Sequence, residues 1–217
     1  MATAEVLSVN VGKIAAASWA TPLGVTAIDK RPLTGRVAVG PLGVAGDHQA
    51  DTRDHGGVDQ AVYAFAREDL DVWAARVGRD ISNGMFGENL TTLGMDLNEA
   101  VIGERWRVGS AVLEVASVRI PCNVFKGWMD VNRVQAAGWV KRFTAEGRPG
   151  PYLRVVESGE IGAGDLIDVV DRPGHDVTVG LCFRALTTER ELLPRLLAAP
   201  ALPAEIMTAV EQYAAQH

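Results

Sequence analysis

The 217-residue sequence contains only two cysteines, Cys122 and Cys182, and it lacks any long hydrophobic run. So few cysteines predict free thiols in a reducing, cytoplasmic setting. Residues 1–5 include no basic segment that leads into an apolar one, so a signal peptide is not predicted. No stretch has the length and apolarity of a transmembrane helix, and we therefore expect no membrane contact.

Positive charge is also scarce, since 21 Lys and Arg stand against 27 Asp and Glu and give a formal net charge of −6. This balance argues against a protein that binds nucleic-acid polymers, although a local basic pocket could still hold a small anion. Hydrophobic residues make up 47 % of the chain and charged residues 22 %, proportions typical of a soluble globular protein. The length suffices for one sizeable domain and an appendage.

Residues 111–122 bring a cysteine to the end of a predicted strand. The alternation and the β-branched content of residues 111–118 predict a half-buried strand, and Pro121 should end it because proline cannot donate to a sheet. Cys122 would then lie on rigid backbone beside Arg119, and a nearby cation favours the thiolate. A single cysteine is more commonly a small buried hydrophobe, and this stretch alone favours that interpretation.

Residues 43–57 form a second unusual segment, because they include four glycines and few apolar side chains. A segment this polar between predicted strands indicates a functional loop. Turn chemistry is the competing explanation, since Asp beside Gly favours tight turns without any ligand. The side chains that are metal ligands by type are Asp47, His48, Asp51, Asp54 and His55.

Short strands separated by glycine turns dominate the rest of the chain, and Gly109-Ser110 predicts a hairpin. Such a series predicts a closed or nearly closed β-barrel with helices outside it. One helix is predicted over residues 68–77, and a helix or a pair broken at Gly138 over residues 131–146. Further strands are predicted at residues 6–11, 25–30, 36–39, 61–65, 152–156, 164–170 and 177–179.

Residues 171–174 are the best candidate boundary, and the tail beyond them predicts short helices at residues 188–198 and 203–215. The leucine-rich faces of these segments suit packing rather than chemistry. Cys182 lies in this tail and is predicted to pack as a hydrophobe.

Five motifs, taken in order, resemble the MOSC-domain proteins, which are named after the molybdenum cofactor sulfurase C-terminal domain. The similarity is closest to the stand-alone YiiM-type members and covers most of residues 6–170, while the tail resembles their small three-helix domain. Gln60, Ala66 and Pro151 depart from the usual pattern, and the first could alter anion binding. The motifs include GDHQAD (46–51), HGGVDQAV (55–62), FGENL (86–90), RIPC (119–122) and YLRVV (152–156).

The resemblance implies a mainly β protein with peripheral helices, in which a MOSC-type barrel of the pyruvate-kinase kind (1–172) precedes a small three-helix domain (173–217). It also implies a molybdenum cofactor of the molybdopterin type, with Cys122 as the catalytic residue and the sulfur ligand of the metal. Thiolate is a suitable soft donor for such a centre. The resemblance implies that Lys30, His55, Asn89 and Arg119 bind the cofactor, and the charge of the chain adds Arg31 and Arg67 as candidate cofactor-binding residues.

Three functions follow as expectations. The resemblance implies an oxidoreductase that reduces N-hydroxylated compounds, such as hydroxylaminopurines, with electrons from a flavin-containing partner protein; a homodimer is compatible with it. The second is a carrier, in which Cys122 bears a persulfide or only the cofactor and passes it on without turnover. The third is a metal-dependent hydrolase built on the polar loop of residues 43–57. It ranks last because the loop lacks a diagnostic ligand spacing.

One expectation about charge stands apart from the family. An acidic chain repels an anionic pterin phosphate on average, so binding needs a local positive site. We therefore expect at least two of Lys30, Arg31, Arg67 and Arg119 to point into one cleft near Cys122. Solvated surface cations, spread over separate faces, are the alternative.

Overall fold

The computed structural model describes residues 3–52, 55–134 and 137–216 of the chain. Strands dominate this part of the protein and form one large sheet with two small ones beside it. The strands are β1 (Glu5–Gly12), β2 (Ala15–Ala16), β3 (Val25–Thr26), β4 (Lys30–Pro32), β5 (Val37–Gly40), β6 (Gly43–Val44), β7 (Val62–Ala66), β8 (Leu90–Leu93), β9 (Arg105–Val108), β10 (Ala111–Val118), β11 (Pro151–Glu157), β12 (Gly159–Ile161) and β13 (Ile167–Asp171).

The large sheet has the strand order β13-β9-β10-β11-β7-β8-β1-β4, and its pairs are antiparallel except for β7 with β8. The sheet curls until its first strand meets β1. Glu5 and Leu166 form a β-bridge, and the backbone N–H of Val6 donates to the carbonyl of Asp165 over 2.9 Å. The predicted barrel-like, sheet-dominated fold with several helices is therefore confirmed.

The helices lie outside this sheet. The helix predicted at residues 68–77 is confirmed as α1 (Arg67–Val77), with Leu70 and Trp73 buried and Gly78 ending the helix in the left-handed conformation (φ 68°). The 3₁₀ segments are Val58–Gln60, Leu97–Glu99 and Arg190–Ala198. The α-helices are α1 (Arg67–Val77), α2 (Asn123–Val131), α3 (Trp139–Glu146), α4 (Val179–Thr187) and α5 (Ala204–Ala214).

A cluster of aromatic side chains fixes α2, the helix that directly follows Cys122. Phe125 and Trp128 of α2 are buried in it together with Phe86 and the α3 residues Trp139 and Phe143. Phe125 and Trp139, for example, meet edge to face with ring centroids 5.5 Å apart. Large buried rings contribute much of a core's stability, so the backbone next to Cys122 is firmly held.

Strand β10 differs from its prediction in two ways. All eight of its residues are buried, because Leu113 and Val115 face the barrel core while Glu114, on the other face, is covered by its ion pairs with Arg105 and Arg154. The strand also ends at Val118 rather than at Pro121. The predicted strand over residues 111–118 is therefore confirmed, but its half-burial is wrong, and Cys122 follows four residues after the strand rather than at its end.

The chain after β10 enters a helix that the sequence reading did not predict. Cys122 stands at the N-cap position of α2, and the N–H of Lys126 donates to its carbonyl over 3.1 Å. Farther along, Gly138 (φ 66°) does separate two helices, as expected, but the first of them ends at Val131. Residues 135–136 of the predicted helical stretch lie outside the described residues.

Two predicted strands are corrected. Residues 25–30 contain β3 and only the first residue of β4, with a break between them at which Oγ1 of Thr26 accepts from the N–H of Ile28 (3.2 Å). Residues 177–179 contribute only a single bridge between Val101 and Thr178. The Thr178 hydroxyl accepts from the N–H of Leu181 (3.1 Å), and this cap starts α4 instead.

The C-terminal tail packs its helices on the barrel. The second predicted helix is α5, and the first takes 3₁₀ geometry at Arg190–Ala198, a segment that contains Pro194. Val179, Cys182 and Val210 belong to the same apolar cluster as the barrel residues. The division at residue 172 stays a prediction. No helix in the described part of the chain is long and apolar enough to cross a membrane.

Candidate active site

A cleft of about 860 Å³, measured out to its open mouth, lies where α2 begins. One wall is the apolar segment that contains the β2–β3 hairpin, and the other is polar and includes the loop of residues 43–57. The polar and ionisable lining residues include Lys30, His48, Asp51, His55, Gln60, Asn89, Arg119 and Cys122.

Cys122 is the partly exposed thiol of this cleft. Burial opposes its ionisation, but a hydrogen bond with His55, the charge of Arg119 and the N–H of Phe125 outweigh burial and lower its pKa to about 7. A substantial fraction of Cys122 is therefore thiolate near neutral pH. The thiolate is the form of cysteine that attacks electrophiles and binds metals.

Arg119 is the buried cation beside that thiol. Its Nη1 donates to the carbonyl of Phe86, and its guanidinium lies over the rings of Tyr63 (4.9 Å) and Phe125 (4.3 Å). Within residues 3–52, 55–134 and 137–216, no carboxylate forms an ion pair with it. Its positive charge is therefore available to an anion in the cleft, as expected for a guanidinium that binds phosphate.

Lys30 also points into the cleft, but its charge is already paired. Its Nζ donates to both carboxylate oxygens of Asp47, which also accepts from the N–H of Gly12 (2.7 Å) and from Nδ2 of Asn89 (2.8 Å). Burial lowers the pKa of Lys30, while Asp47 counteracts that effect. Lys30 is thus a weaker anion ligand than Arg119.

Asn89 connects this ion pair to the barrel. Its Oδ1 accepts from the N–H of Tyr63 (3.1 Å), and its Nδ2 also donates to the carbonyl of Asn10 (3.2 Å). The side chain therefore has defined partners on β1 and β7 as well as Asp47. Asn89 therefore holds the polar wall of the cleft in place.

Arg31 and Arg67, the other two expected anion ligands, do not line the cleft. The side chain of Arg31 is 70 % exposed and pairs with Asp29. Arg67 begins α1 and contacts Asp71 and Asn83. Two of the four candidate cations therefore share the cleft with Cys122, which is the minimum that the charge argument required.

The loop of residues 43–57 contributes His48, Asp51 and His55 to the cleft. His48 contacts the carbonyl of Gly12 through Nδ1 (3.3 Å). No group of three or more His, Cys, Asp or Glu in the described ranges is arranged to hold a metal ion. Asp54, the remaining ligand candidate of the hydrolase hypothesis, lies outside the described residues.

Several site residues were missed by sequence reasoning. Asp47 was considered only as a metal ligand, and it is the counter-ion of Lys30. Tyr63 and Tyr152 pack with ring centroids 5.3 Å apart beside Arg119, and burial raises the pKa of each. Both tyrosines lie in the quoted or neighbouring motifs, so a closer look at those motifs could have found them. The apolar hairpin wall carries no sequence signal.

Comparison with known proteins identifies the family, because the MOSC domain matches residues 51–168. The chain belongs to the MOSC-domain family. It is a YiiM-like member, since it superimposes on the crystal structure of YiiM from Geobacillus stearothermophilus with a TM-score of 0.78 and 26 % identity, covering 96 % of this chain and 98 % of that one.

Two relatives of the MOSC protein extend the comparison. This chain is 32 % identical over 180 residues to the uncharacterized protein YflK of Bacillus subtilis, and the match covers 83 % of this chain and 79 % of YflK. It is 31 % identical over 171 residues to a protein of Gibberella moniliformis named "Reductase", covering 77 % of this chain but 29 % of that longer protein.

The residues of the cleft fit a molybdenum pyranopterin with a terminal phosphate. Cys122 offers a soft sulfur donor that is readily ionised, and Arg119 offers a buried guanidinium. The wall also approaches closely at Gly87 (φ 79°), where a Cβ would lie 3.1 Å from Ile28 and 3.5 Å from Nη1 of Arg119. A side chain at this position would press against Ile28 and narrow the cleft.

Proposed function

We propose that this MOSC protein is a molybdenum-cofactor-dependent oxidoreductase that reduces N-hydroxylated compounds such as hydroxylaminopurines. The observation that carries the proposal is the position of Cys122, an easily ionised thiol in a cleft with the buried Arg119, which has no carboxylate ion pair among the described residues. Membership of the MOSC family and a related protein named a reductase support an oxidoreductase-like function in the coarser sense.

Each cleft residue has a role in this proposal. Cys122 would hold molybdenum through Sγ, Arg119 and Lys30 would bind the phosphate, and His55 would stabilise the thiolate by donating to it. Asn89 would keep Lys30 and Asp47 in place. When bound, the cofactor supplies a metal centre that can exchange electrons with the substrate.

The net reaction converts an N–OH group to N–H and water, with the uptake of two electrons and two protons. The apolar wall of the hairpin would exclude water from one side of a planar base. The electrons would come from a flavin-containing partner protein. We place the reaction in the cytoplasm, consistent with free thiols, and we propose a homodimer as the assembly to test.

A carrier function is the second candidate, and the low pKa of Cys122 favours it as well, because a thiolate can accept a sulfane sulfur or hold the cofactor without turnover. Metal content alone cannot separate an enzyme from a cofactor carrier. Turnover of an N-hydroxylated substrate can.

The test is to purify the full chain from a host that makes the cofactor and to measure molybdenum per chain together with reduction of a hydroxylaminopurine by a reduced flavoprotein. We expect near-stoichiometric molybdenum and turnover. Molybdenum without turnover would favour the carrier, and protein that never binds molybdenum would overturn the proposal.

Charge variants sharpen this test. Arg119→Gln should lower the bound molybdenum about tenfold or more, because it removes a charge-assisted contact shielded from water. Arg31→Gln is the matched control, since Arg31 is exposed and outside the cleft. Equal losses in the two variants would show that Arg119 has no specific part in holding the anion.

A further inference from the structure

A turn formed by residues 84–88 contacts three segments that border the cleft or position its residues. At Gly84 the turn presses against β4, where a Cβ would lie 2.4 Å from the carbonyl of Lys30. The carbonyl of Met85 accepts from Nε1 of Trp128 on α2 (2.8 Å), and the carbonyl of Phe86 accepts from Nη1 of Arg119. The turn thus lies between the strand of Lys30, the helix that follows Cys122 and the buried guanidinium.

The side chain of Glu88 holds this turn from within. It is fully buried, and its Oε1 accepts from the N–H of Gly84 (2.6 Å) and the hydroxyl of Thr91 (2.9 Å). Its Oε2 accepts from the N–H of Phe86 (3.0 Å). Because burial of a carboxyl is costly unless its oxygens are satisfied, these contacts indicate a required geometry rather than incidental packing.

We infer that Glu88 is a positioning residue, which orients the carbonyl of Phe86 through this turn and so keeps the Arg119 guanidinium facing the cleft that contains Cys122. The backbone N–H of Phe86 donates to the Glu88 carboxylate, which fixes the peptide on one side of Phe86. The carbonyl of Phe86 then accepts the hydrogen bond from Nη1 of Arg119. The inference deepens the proposed function, because Arg119 is the main anion ligand there.

Glu88→Gln tests this geometry with little change in volume. In either orientation, the amide turns its NH₂ group toward a backbone N–H that now donates to a carboxylate oxygen, so the turn must move. Loss of a negative charge alone would make the cleft more positive. A positional effect would make it less positive, because Arg119 would lose its support. The two explanations therefore predict changes of opposite sign.

The measurement is the ratio of two alkylation rates at Cys122 in the cofactor-free full chain. Iodoacetate is an anion and iodoacetamide is neutral. The rate with iodoacetate divided by the rate with iodoacetamide, both at one pH, therefore rises with the local positive charge, and the thiolate fraction cancels. Modification of Cys122 is followed by mass spectrometry. We expect the ratio to fall about threefold in Glu88→Gln, toward the value measured for Arg119→Gln.

Glu104→Gln is the matched control. Glu104 is also fully buried, and it accepts from Nε1 of Trp106 (2.8 Å) away from the cleft. Its variant should lose stability yet keep the wild-type ratio. An unchanged or increased ratio in Glu88→Gln, or an equal fall in Glu104→Gln, would overturn the inference.

If Glu88→Gln fails to fold, the same alkylation-rate ratio measured in Thr91→Val tests the inference. It removes one donor to Oε1 of Glu88 and keeps the carboxylate, so we expect a smaller fall in the same direction. A wild-type ratio in that variant would also overturn the inference. Since the ratio needs no cofactor, it can support the role of Glu88 even if molybdenum binding and turnover are never found.

Discussion

The two cysteines lie in similar local positions and have opposite chemistry. Cys122 is the N-cap residue of α2, and Cys182 lies near the start of α4. The pKa of Cys122 falls to about 7, whereas burial raises that of Cys182 to about 12. Proximity to a helix N-terminus is therefore not sufficient to ionise a thiol, although the N–H of Phe125 in the first turn of α2 does help to lower the pKa of Cys122.

The difference comes from polar and charged groups that face Cys122 and not Cys182, one of them, His55, brought in from a distant loop. Cys122 has the hydrogen bond with His55 and the charge of Arg119, which overcome the cost of partial burial. Cys182 lies among apolar side chains, where burial is the cause of its shift. A reactive thiol in this protein thus requires loops that converge on it, which a cleft provides and an apolar core does not.

The largest expected effect concerns activity. Cys122→Ala should abolish reduction of an N-hydroxylated substrate while the protein stays folded, since the thiol serves the cleft. Cys182→Ala should keep activity and lose about 1 kcal/mol or more of unfolding free energy, because it leaves a small cavity. Steady-state rates and denaturant unfolding of both variants check this pair. Full activity in Cys122→Ala would remove the catalytic role.

A smaller effect is the pH dependence of alkylation. Because only the thiolate reacts, the rate at Cys122 should rise with pH, reach half its maximum near pH 7 and level off above about pH 8. At pH 7 we expect it to exceed the rate of an ordinary thiol about tenfold. Cys182 should stay unmodified in the folded protein. Equal rates at the two cysteines would refute the contrast.

The smallest effect separates the two histidines of the cleft. His55→Ala should slow alkylation of Cys122 at pH 7 about three- to tenfold, since the thiolate loses a hydrogen-bond donor and its pKa rises. His48→Ala is the control, because His48 contacts the carbonyl of Gly12. A matching decrease in His48→Ala would indicate a general disturbance of the loop instead.

Much of the architecture was accessible from sequence because local patterns specify it. The spacing of Leu70 and Trp73 predicted α1, and the glycine turns predicted a curled sheet. The strand at residues 177–179 was wrong because a single hydroxyl, that of Thr178, starts a helix there. Helix α2 was missed although Phe125, Trp128 and Met129 follow the i, i+3, i+4 spacing of a helix, and that local pattern could have predicted it.

The sequence by itself determined the family, the curled sheet and Cys122 as the candidate thiol, because motifs and periodicity are properties of neighbouring residues. Only the tertiary structure decided which cation other than Arg119 shares the cleft with that thiol. Lys30 and Arg31 are adjacent in β4, and alternate residues of a strand point to opposite faces. Pairing of β4 with β1 turns Lys30 into the cleft and leaves Arg31 in solvent. That outcome depends on a contact with another strand, which neither residue specifies alone.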